Sequence, residues 1–291
     1  MITDTKTIWK TFSFETPDEL LKLQEEQHFP NFFYHSILDN NEMAHYRFYQ
    51  GKIYLIINSP IKEEDSLQYN TAVLALVVSE SELLAIHPKS LTLQPLFANI
   101  ETTSIPYVFT EILAYIIDSY GMILRGINTK MLKIEQHVLN SPSNAVLQEL
   151  FSLQKSIIHF QTTILGLKNI CNSIIDSEKK LLWSEELKDD YNNIEIEINQ
   201  IEKTLSIYDD VLASEMSLSS SILANNLSRT MKTLTTITIV ISIPTLITGF
   251  YGMNLSSLPF QSHPNSLTIV TAISLIITVG SIYYLYRKDL F

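Results

Sequence analysis

The sequence is short of cysteine and of basic residues, and each shortage excludes a class of protein. Its 291 residues include a single cysteine, Cys171, so a disulfide framework and a thiolate metal site are both excluded. Acidic residues outnumber basic ones by 31 to 20, and nucleic-acid binding needs a positive surface to displace the counterions of the phosphates. Nucleic acid is therefore not an expected partner, and a cation suits the charge better.

The sequence also lacks the motifs of common enzyme classes. It has no Gly-rich phosphate loop, no HExxH, no CxxC and no GxSxG, and its seven histidines are scattered singly. Pairs of neighbouring acids at 185–186, 189–190 and 209–210 could serve acid–base chemistry, but a solvated helix face explains them more simply. We therefore expect neither enzyme activity nor an organic cofactor.

Charge is absent from two long runs near the end of the chain. Thr233 to Phe250 and Leu267 to Tyr286 contain no charged residue. A bilayer core about 30 Å thick needs roughly 20 helical residues to cross it. Both runs are therefore predicted to span a membrane, and a pair of buried core helices is the alternative.

The charges that flank these runs predict their orientation. Arg229 and Lys232 precede the first run, Arg287 and Lys288 follow the second, and the connecting segment has no lysine or arginine. The start of the chain, MITDTKTIWKTFSF, has no basic stretch followed by an apolar run, so it is not expected to be a secretory signal. The chain is therefore predicted to lie in the plasma or inner cell membrane, with both termini in the cytoplasm.

The rest of the sequence predicts an α+β cytoplasmic domain with long helices. Alternating runs flank Gln50-Gly51 and the turn SES at 79–81, which predicts two hairpins. Apolar residues then recur at helical spacing as far as Asn140, a second helix follows to about Leu182, and a third begins with Ser184 as its N-cap. The predicted parts are an α/β subdomain at 1–105, a helical stalk region at 106–232, a first span at 233–253, an extracellular loop at 254–266, a second span at 267–286 and a tail at 287–291.

An apolar stripe on the third helix predicts a packing seam. Its members follow alternating spacings of four and three residues: Leu187, Tyr191, Ile194, Ile198, Ile201, Leu205, Tyr208 and Leu212. Such a heptad seam packs against another helix. Together with the presence of one pore-candidate helix per chain, it favours assembly of several copies.

A second stripe with the same spacing carries small and polar residues into the first span. It begins Asp210, Ser214, Ser217, Ser221, Ala224 and continues Ser228, Met231, Thr235, Thr238, Ser242, Thr245, Gly249, Gly252. Because hydroxyls gain little by facing acyl chains, we predict that the stripe from Ser228 to Gly249 lines a pore. Plain helix–helix packing by small residues, with hydroxyls bonded back to their own carbonyls, is the alternative.

Three segments of the sequence resemble the CorA family of magnesium transporters. Tyr251-Gly252-Met253-Asn254 directly follows the first span, NNLSRTMKTLT at 225–235 leads into it, and LDNNEMAHYRFYQGKIYLII at 38–57 resembles the N-terminal domain of the family. The likeness covers nearly the whole chain. It implies a homopentamer in which the first span of each subunit lines one central pore, below a funnel-shaped cytoplasmic domain of α/β layers and long stalk helices.

The resemblance also implies roles for particular residues. Gly252, Met253 and Asn254, with Tyr251 before them, become the pore and selectivity residues, and Asn254 offers an amide carbonyl to hydrated Mg2+. The family senses cytoplasmic magnesium through acids, for which Asp209, Asp210 and Glu215 are the candidates from their stalk position.

Two departures from the family pattern affect the predicted pathway. Ser228 stands where relatives have an asparagine, and the loop LSSLPFQSHPNS has none of the acids that relatives often carry there. The first puts a hydroxyl ring in place of an amide ring, and the second leaves no acidic ring at the outer mouth.

The sequence thus predicts a channel for Mg2+ influx down the membrane potential, gated by cytoplasmic Mg2+. The alternatives are a CorA-like transporter of Zn2+, or of Co2+ or Ni2+, and a membrane-anchored acidic coiled-coil scaffold without a pore. The expected partners are other copies of the chain, the lipid bilayer and divalent metal ions.

Overall fold

The structure is a computed structural model, and it describes residues 9–39, 42–62, 68–91, 93, 104–140, 143–176, 182, 184–253, 258–260 and 264–288. The chain divides into two compact units, Met1–Ser219 and Ser220–Phe291. Each unit is described by itself below.

The described residues form five strands and six α-helices. The strands are β1 Trp9–Phe14, β2 His45–Tyr49, β3 Lys52–Lys62, β4 Tyr69–Val78 and β5 Leu83–Pro88. The helices are α1 Pro17–Gln27, α2 Asn31–Leu38, α3 Ile105–Asn140, α4 Asn144–Asp176, α5 Lys188–Tyr251 and α6 Ser266–Arg287, with a 3-10 turn at Glu185–Leu187.

The strands of the first unit form one mixed sheet in the order β1-β5-β4-β3-β2. Strand β1 runs parallel to β5, and the other neighbours are antiparallel. Gln50 and Gly51 both have positive φ, as the two central residues of a type I′ hairpin require. The β2–β3 and β4–β5 pairings confirm both predicted hairpins.

Helices α1 and α2 cover one face of the sheet. Leu20 and Leu23 of α1 and Phe33 and Ile37 of α2 are buried in a cluster with strand residues that include Ile56. Neither helix was predicted, because the alternation of apolar and polar residues over about the first hundred residues indicated strands. Pro17 at the start of α1 and the acids that follow it are a helix-start signal that could have revealed this helix.

Helices α3 and α4 cover the other face of the sheet. The Tyr120 hydroxyl of α3 donates to the Asn58 carbonyl of β3 at 3.0 Å and lies 2.9 Å from Oγ1 of Thr163 on α4. The backbone N–H of Tyr69 donates to Ser156 Oγ at 2.9 Å. These buried hydrogen bonds fix the helix pair on the sheet, since a buried polar group left unpaired would be costly.

The long helices agree with the sequence analysis in most respects. The first, α3, reaches Asn140 as predicted. The second, α4, ends at Asp176 in the structure, and its predicted continuation at 177–181 lies outside the described residues. Ser184 occupies the N-cap position of the 3-10 turn, but its side chain makes no capping hydrogen bond.

The heptad seam on α5 packs inside the chain. Six of its residues are buried, namely Tyr191, Ile194, Ile198, Ile201, Leu205 and Leu212. Gln154 of α4 donates to Asp209 at 3.2 Å, and Lys168 pairs with Glu202 at 2.6 Å. The prediction that the seam packs against another helix is confirmed. Its use as evidence for assembly was wrong, because helices of the same chain cover it.

The second unit consists of the C-terminal part of α5 and helix α6. Its apolar side chains are mostly exposed, in contrast to those of the first unit. The described residues contain three helices that are long and apolar enough to cross a membrane: Ile105–Val138, Glu185–Tyr251 and Ser266–Arg287. Half of the apolar stretch is buried in the first of them, but only 6% in each of the other two. Helix α3 is therefore a core helix of the first unit.

Candidate ion pathway

The predicted pore stripe lies on an uncovered face of α5. All seven of its predicted pore-lining residues are exposed: Ser228, Met231, Thr235, Thr238, Ser242, Thr245 and Gly249. Within the second unit no other part of the chain shields them. A polar row that a single chain leaves uncovered suits either a pore or a contact with another copy.

A different face of α5 packs against α6. Thr236 of α5 and Ser274 of α6 are buried, although most of their neighbours are exposed. Nearer the end of α5, Pro244, Ile247 and Tyr251 line a mostly apolar groove with residues of α6 that extend from Leu267 to Val279. From Ser228 to Gly249 the polar stripe is thus separate from the packing face, whereas Gly252, at the end of the stripe, lines the groove.

Three hydroxyl groups of the stripe, those nearest the end of α5, donate their hydrogens within the helix. Thr238 donates to the Leu234 carbonyl at 2.8 Å, Ser242 to that of Thr238 at 2.7 Å and Thr245 to that of Ile241 at 2.8 Å. A hydroxyl has one hydrogen and two lone pairs. Each of these oxygens therefore presents only acceptor capacity outward, which matches the hydrogens of water molecules around a cation.

The helix ends in a tight turn at the predicted selectivity residues. Gly252 N–H donates to the Thr248 carbonyl at 2.9 Å, and Met253 N–H to that of Phe250 at 3.3 Å. A Cβ at Gly252 would lie 3.3 Å from the Thr248 carbonyl oxygen, a close contact that glycine avoids. Met253 is exposed, and Asn254 lies outside the described residues.

Tyr251 has a different position from the stripe. Its ring lines the groove shared with α6, and its hydroxyl donates to the Pro259 carbonyl at 3.1 Å. The bond links the last turn of α5 to the segment Leu258–Phe260, which follows Asn254 in the chain. The sequence analysis grouped Tyr251 with the selectivity residues and missed this contact, since no local pattern pairs Tyr251 with Pro259.

The three predicted regulatory acids have different surroundings in one chain. Asp209 accepts a hydrogen bond from Gln154 of α4, whereas Asp210 is exposed. Glu215 is half-buried, and burial raises the pKa of its carboxyl, with a further contribution from the Glu135 carboxylate of α3. Its Oε2 atom is buried and has no hydrogen-bond partner within the described residues.

The structure therefore does not bring these acids together into one metal site. No group of three or more His, Cys, Asp or Glu side chains in the described part of the chain is arranged to hold a metal ion. The Glu135 carboxylate of α3 adds to the raised pKa of Glu215 on α5, so like charges influence each other between these helices. No sequence pattern indicates this, because the two residues lie 80 positions apart.

The sequence profile of the CorA-like Mg2+ transporter proteins matches residues 4–287. The chain belongs to this family. The resemblance noted from the sequence is thereby confirmed, and the family is one of membrane transport proteins.

Curated relatives agree with this assignment. The cobalt/magnesium transport protein CorA of Methanocaldococcus jannaschii is 25% identical over 81% of this chain and 76% of its own length. The protein of the same name from Thermotoga maritima is 24% identical over 62% of this chain, which spans about half of that relative, 52%.

A solved structure supports the fold. The complete structure of the CorA magnesium transporter from Methanocaldococcus jannaschii superposes with a TM-score of 0.80 at 23% identity, and the match covers 99% of this chain and 93% of that one. The predicted fold class, an α/β layer with long helices followed by C-terminal membrane-type helices, is confirmed.

Proposed function

We propose that this chain is one subunit of a homopentameric channel that carries Mg2+ into the cytoplasm. In this proposal residues 233–253 and 267–286 span the plasma or inner membrane, residues 254–266 form the outer loop, and both termini are cytoplasmic. Membership of the CorA-like family supports divalent-cation transport. The exposed row of hydroxyl acceptors on α5 is the observation that carries the pore assignment.

The exposed stripe explains why several copies are needed. One helix cannot enclose a pore, and in lipid a row of polar side chains gains from facing water or another helix. Copies of α5 placed around an axis would turn Ser228, Thr238, Ser242 and their neighbours inward. The packing face against α6 would then lie behind each α5 helix and leave the pore face free.

The chemistry of the stripe suits a hydrated ion. Magnesium loses its waters reluctantly and usually keeps several of them. The waters of a hydrated cation donate hydrogen bonds outward, and the self-bonded hydroxyls of Thr238, Ser242 and Thr245 can only accept them. In the proposal Asn254 adds a ring of amide oxygens at the mouth. A divalent ion gains roughly 4.6 kcal/mol per 100 mV of inside-negative potential, so influx needs no other energy source.

Flux into liposomes tests the proposal. Purified protein should admit Mg2+ when the interior is negative, and native mass spectrometry in detergent should give five copies. A panel of Mg2+, Co2+, Ni2+ and Zn2+ determines the ion preference, since curated relatives are named for cobalt as well as magnesium. Absence of flux for every ion would favour the scaffold alternative, and flux by a monomer would refute the shared pore.

Substitution at the mouth tests the role of Asn254. Asn254→Ala should reduce Mg2+ flux severely while the copy number stays unchanged, because the variant loses the amide oxygens that are proposed to contact the hydrated ion. Asn225→Ala, at an exposed position on α5 before the first span, is the matched control and should conduct. Wild-type flux through Asn254→Ala would exclude the amide as a selectivity element.

We also propose that cytoplasmic Mg2+ closes the channel by binding acids of the stalk. Asp209, Asp210 and Glu215 supply carboxylates, and burial together with the Glu135 carboxylate raises the pKa of Glu215, an unfavourable environment for negative charge that a divalent ion would relieve. The ligands must then come from more than one copy. The variant D209N/D210N/E215Q should conduct at internal Mg2+ concentrations that close the wild type. Closure at an unchanged concentration would place the sensor elsewhere.

A further inference from the structure

We propose that one end of the α5–α6 helix pair is a binding site for the headgroup of an anionic phospholipid. The site, called here the cationic patch, consists of Arg229 and Lys232 on α5 with Arg287 and Lys288 at the end of α6. The inference depends on membrane location, which family membership supports, and it holds whether or not the chain conducts ions.

The antiparallel arrangement of the two helices brings these four residues to one end. The last turns of α5 and the first turns of α6 line a shared groove, with Tyr251 and Leu267 both in its wall. Lys232 lies 19 residues before Tyr251, and Tyr286 lies 19 residues after Leu267. Both distances correspond to about 28 Å of helix. Lys232 and Arg287 therefore reach nearly the same level.

Packing continues to this end of the pair. Thr236 on α5 and Leu285 on α6 are buried, and both lie within one or two turns of the cationic patch. The four basic residues thus come from two packed helices and form one patch in the second unit.

The patch has more positive charge than its unit can compensate. Arg229, Lys232, Arg287 and Lys288 are all exposed, and none forms an ion pair among the described residues. Asp289, outside the described residues, is the only aspartate or glutamate in the sequence from 220 to 291, so four cations stand against one acid. Basic residues at the end of membrane helices attract anionic lipids at about 1 kcal/mol for each lysine or arginine near the surface.

The surroundings of the patch identify a lipid as the occupant in preference to a soluble anion. Tyr283, Tyr284 and Tyr286 are exposed beside it, and tyrosine favours the level of the headgroups. Exposed apolar side chains continue from the patch along both helices, including Leu234 and Ile282. A phosphate at the cations with acyl chains along this surface satisfies both features, whereas a free phosphate satisfies only the first.

Native mass spectrometry can measure this binding in a neutral detergent. Wild-type protein is titrated with phosphatidylglycerol or phosphatidylcholine of the same acyl chains. We expect phosphatidylglycerol to bind more tightly, because only its headgroup carries a net negative charge. Added inorganic phosphate at millimolar concentration should not displace it. Equal binding of the two lipids, or displacement by phosphate, would overturn the proposal without any variant.

Paired neutral substitutions then locate the site. R229Q/K232Q and R287Q/K288Q should each weaken phosphatidylglycerol binding about thirtyfold, the factor expected for the loss of two such charges. Phosphatidylcholine binding should change little. The control K133Q/K203Q removes two exposed lysines from the first unit and should leave both lipids unaffected.

Three outcomes of the variant experiment contradict the site. An equal loss in the control would mean that net charge alone is responsible. If only one of the two double variants lost binding, the patch would not be shared by α5 and α6. Unchanged binding in both patch variants would show that the lipid binds elsewhere.

Discussion

The two units of this protein place the same kinds of side chain in opposite positions. In the first unit Leu55 of the sheet and Phe160 of α4 are completely buried. In the second, Leu246, Leu267 and Ile276 are 71%, 82% and 72% exposed. Large exposed apolar surfaces are rare on soluble proteins and mark contact with a partner or a membrane. The first unit buries its apolar side chains within the chain, whereas the second leaves them available to a membrane or a partner.

Helix α3 shows that composition alone does not reveal this difference. It is long and apolar enough to cross a membrane, as are α5 and α6. However, the sheet and α4 cover half of its apolar stretch, and its Tyr120 hydroxyl is bonded to the sheet. An apolar helix is therefore a core helix when other elements of the chain cover it, and a candidate membrane helix when they do not.

The largest difference is expected when an apolar side chain is truncated in each unit. Phe160→Ala should lower the free energy of unfolding of the first unit by about 4 kcal/mol, since it leaves a cavity beside the Tyr120 ring, 5.3 Å away. Ile276→Ala, on the exposed surface of α6 outside the groove, should cost less than about 0.5 kcal/mol because no cavity forms. Chemical denaturation in detergent measures both. Similar costs would remove the contrast between the units.

A charge introduced at an exposed apolar position should reverse the contrast. Ile276 lies midway along α6, and Ile276→Lys should make the free energy of membrane insertion less favourable by about 3 kcal/mol. Leu21→Lys on the exposed side of α1 should change stability by less than about 0.5 kcal/mol, since water already surrounds that position. The fraction of protein that resists alkaline extraction from membranes reports insertion. Full insertion of Ile276→Lys would indicate that α6 does not face lipid there.

A smaller effect is expected at the hydrogen bonds that join α3 to the sheet. Tyr120→Phe removes a buried hydroxyl that contacts the Asn58 carbonyl and Thr163. The loss should destabilise the first unit by about 1–2 kcal/mol, because the buried Asn58 carbonyl loses its donor from Tyr120. Tyr208→Phe, at a partly exposed position of α5, is the control. A change below about 0.5 kcal/mol at Tyr120 would mean that packing alone anchors α3 as a core helix.

The sequence allowed good predictions wherever the signal was local. Gln50-Gly51 between two alternating runs predicted a hairpin, and both residues have positive φ in the structure. Two uncharged runs predicted the apolar helices. The seam on α5 was also visible, but its partner was not. A heptad pattern predicts that a helix packs against another helix, but it does not indicate whether that helix belongs to the same chain. Helices α3 and α4 supply that partner, a fact that depends on the fold as a whole.

The candidate pathway was predictable in part for the same reason. The spacing of hydroxyl residues placed Thr238, Ser242 and Thr245 on one face, and the structure leaves that face uncovered. Two other interactions were not predictable. Tyr251 donates a hydrogen bond to Pro259, and Glu135 raises the pKa of Glu215, but no sequence repeat relates the residues of either pair. Such contacts depend on how separate helices and turns meet, so a single sequence does not reveal them.

The smallest predicted effect concerns Glu215 in the first unit, whose carboxyl group is influenced by the carboxylate of Glu135. Burial and Glu135 raise the pKa of Glu215 in the folded state. The folded protein then binds the proton more tightly than the unfolded one, so stability falls as pH rises from the ordinary carboxyl pKa through the raised value. Glu215→Gln should therefore stabilise the protein at pH 7 in EDTA by at most about 1 kcal/mol, a limit set by its partial exposure to solvent.

Two conditions should abolish this gain, and together they separate repulsion from other causes. At a pH below the ordinary carboxyl pKa, Glu215 is protonated in both the folded and the unfolded state, so the wild type and Glu215→Gln should unfold at the same temperature. At millimolar Mg2+ the wild type should approach the variant if an ion bound near Glu215 relieves the repulsion. Glu197→Gln, which changes an exposed acid on the same helix, should show no gain at pH 7 in EDTA. A gain of Glu215→Gln that persists at low pH would mean that the amide improves packing, and the influence of Glu135 would then no longer support a gating role for Glu215.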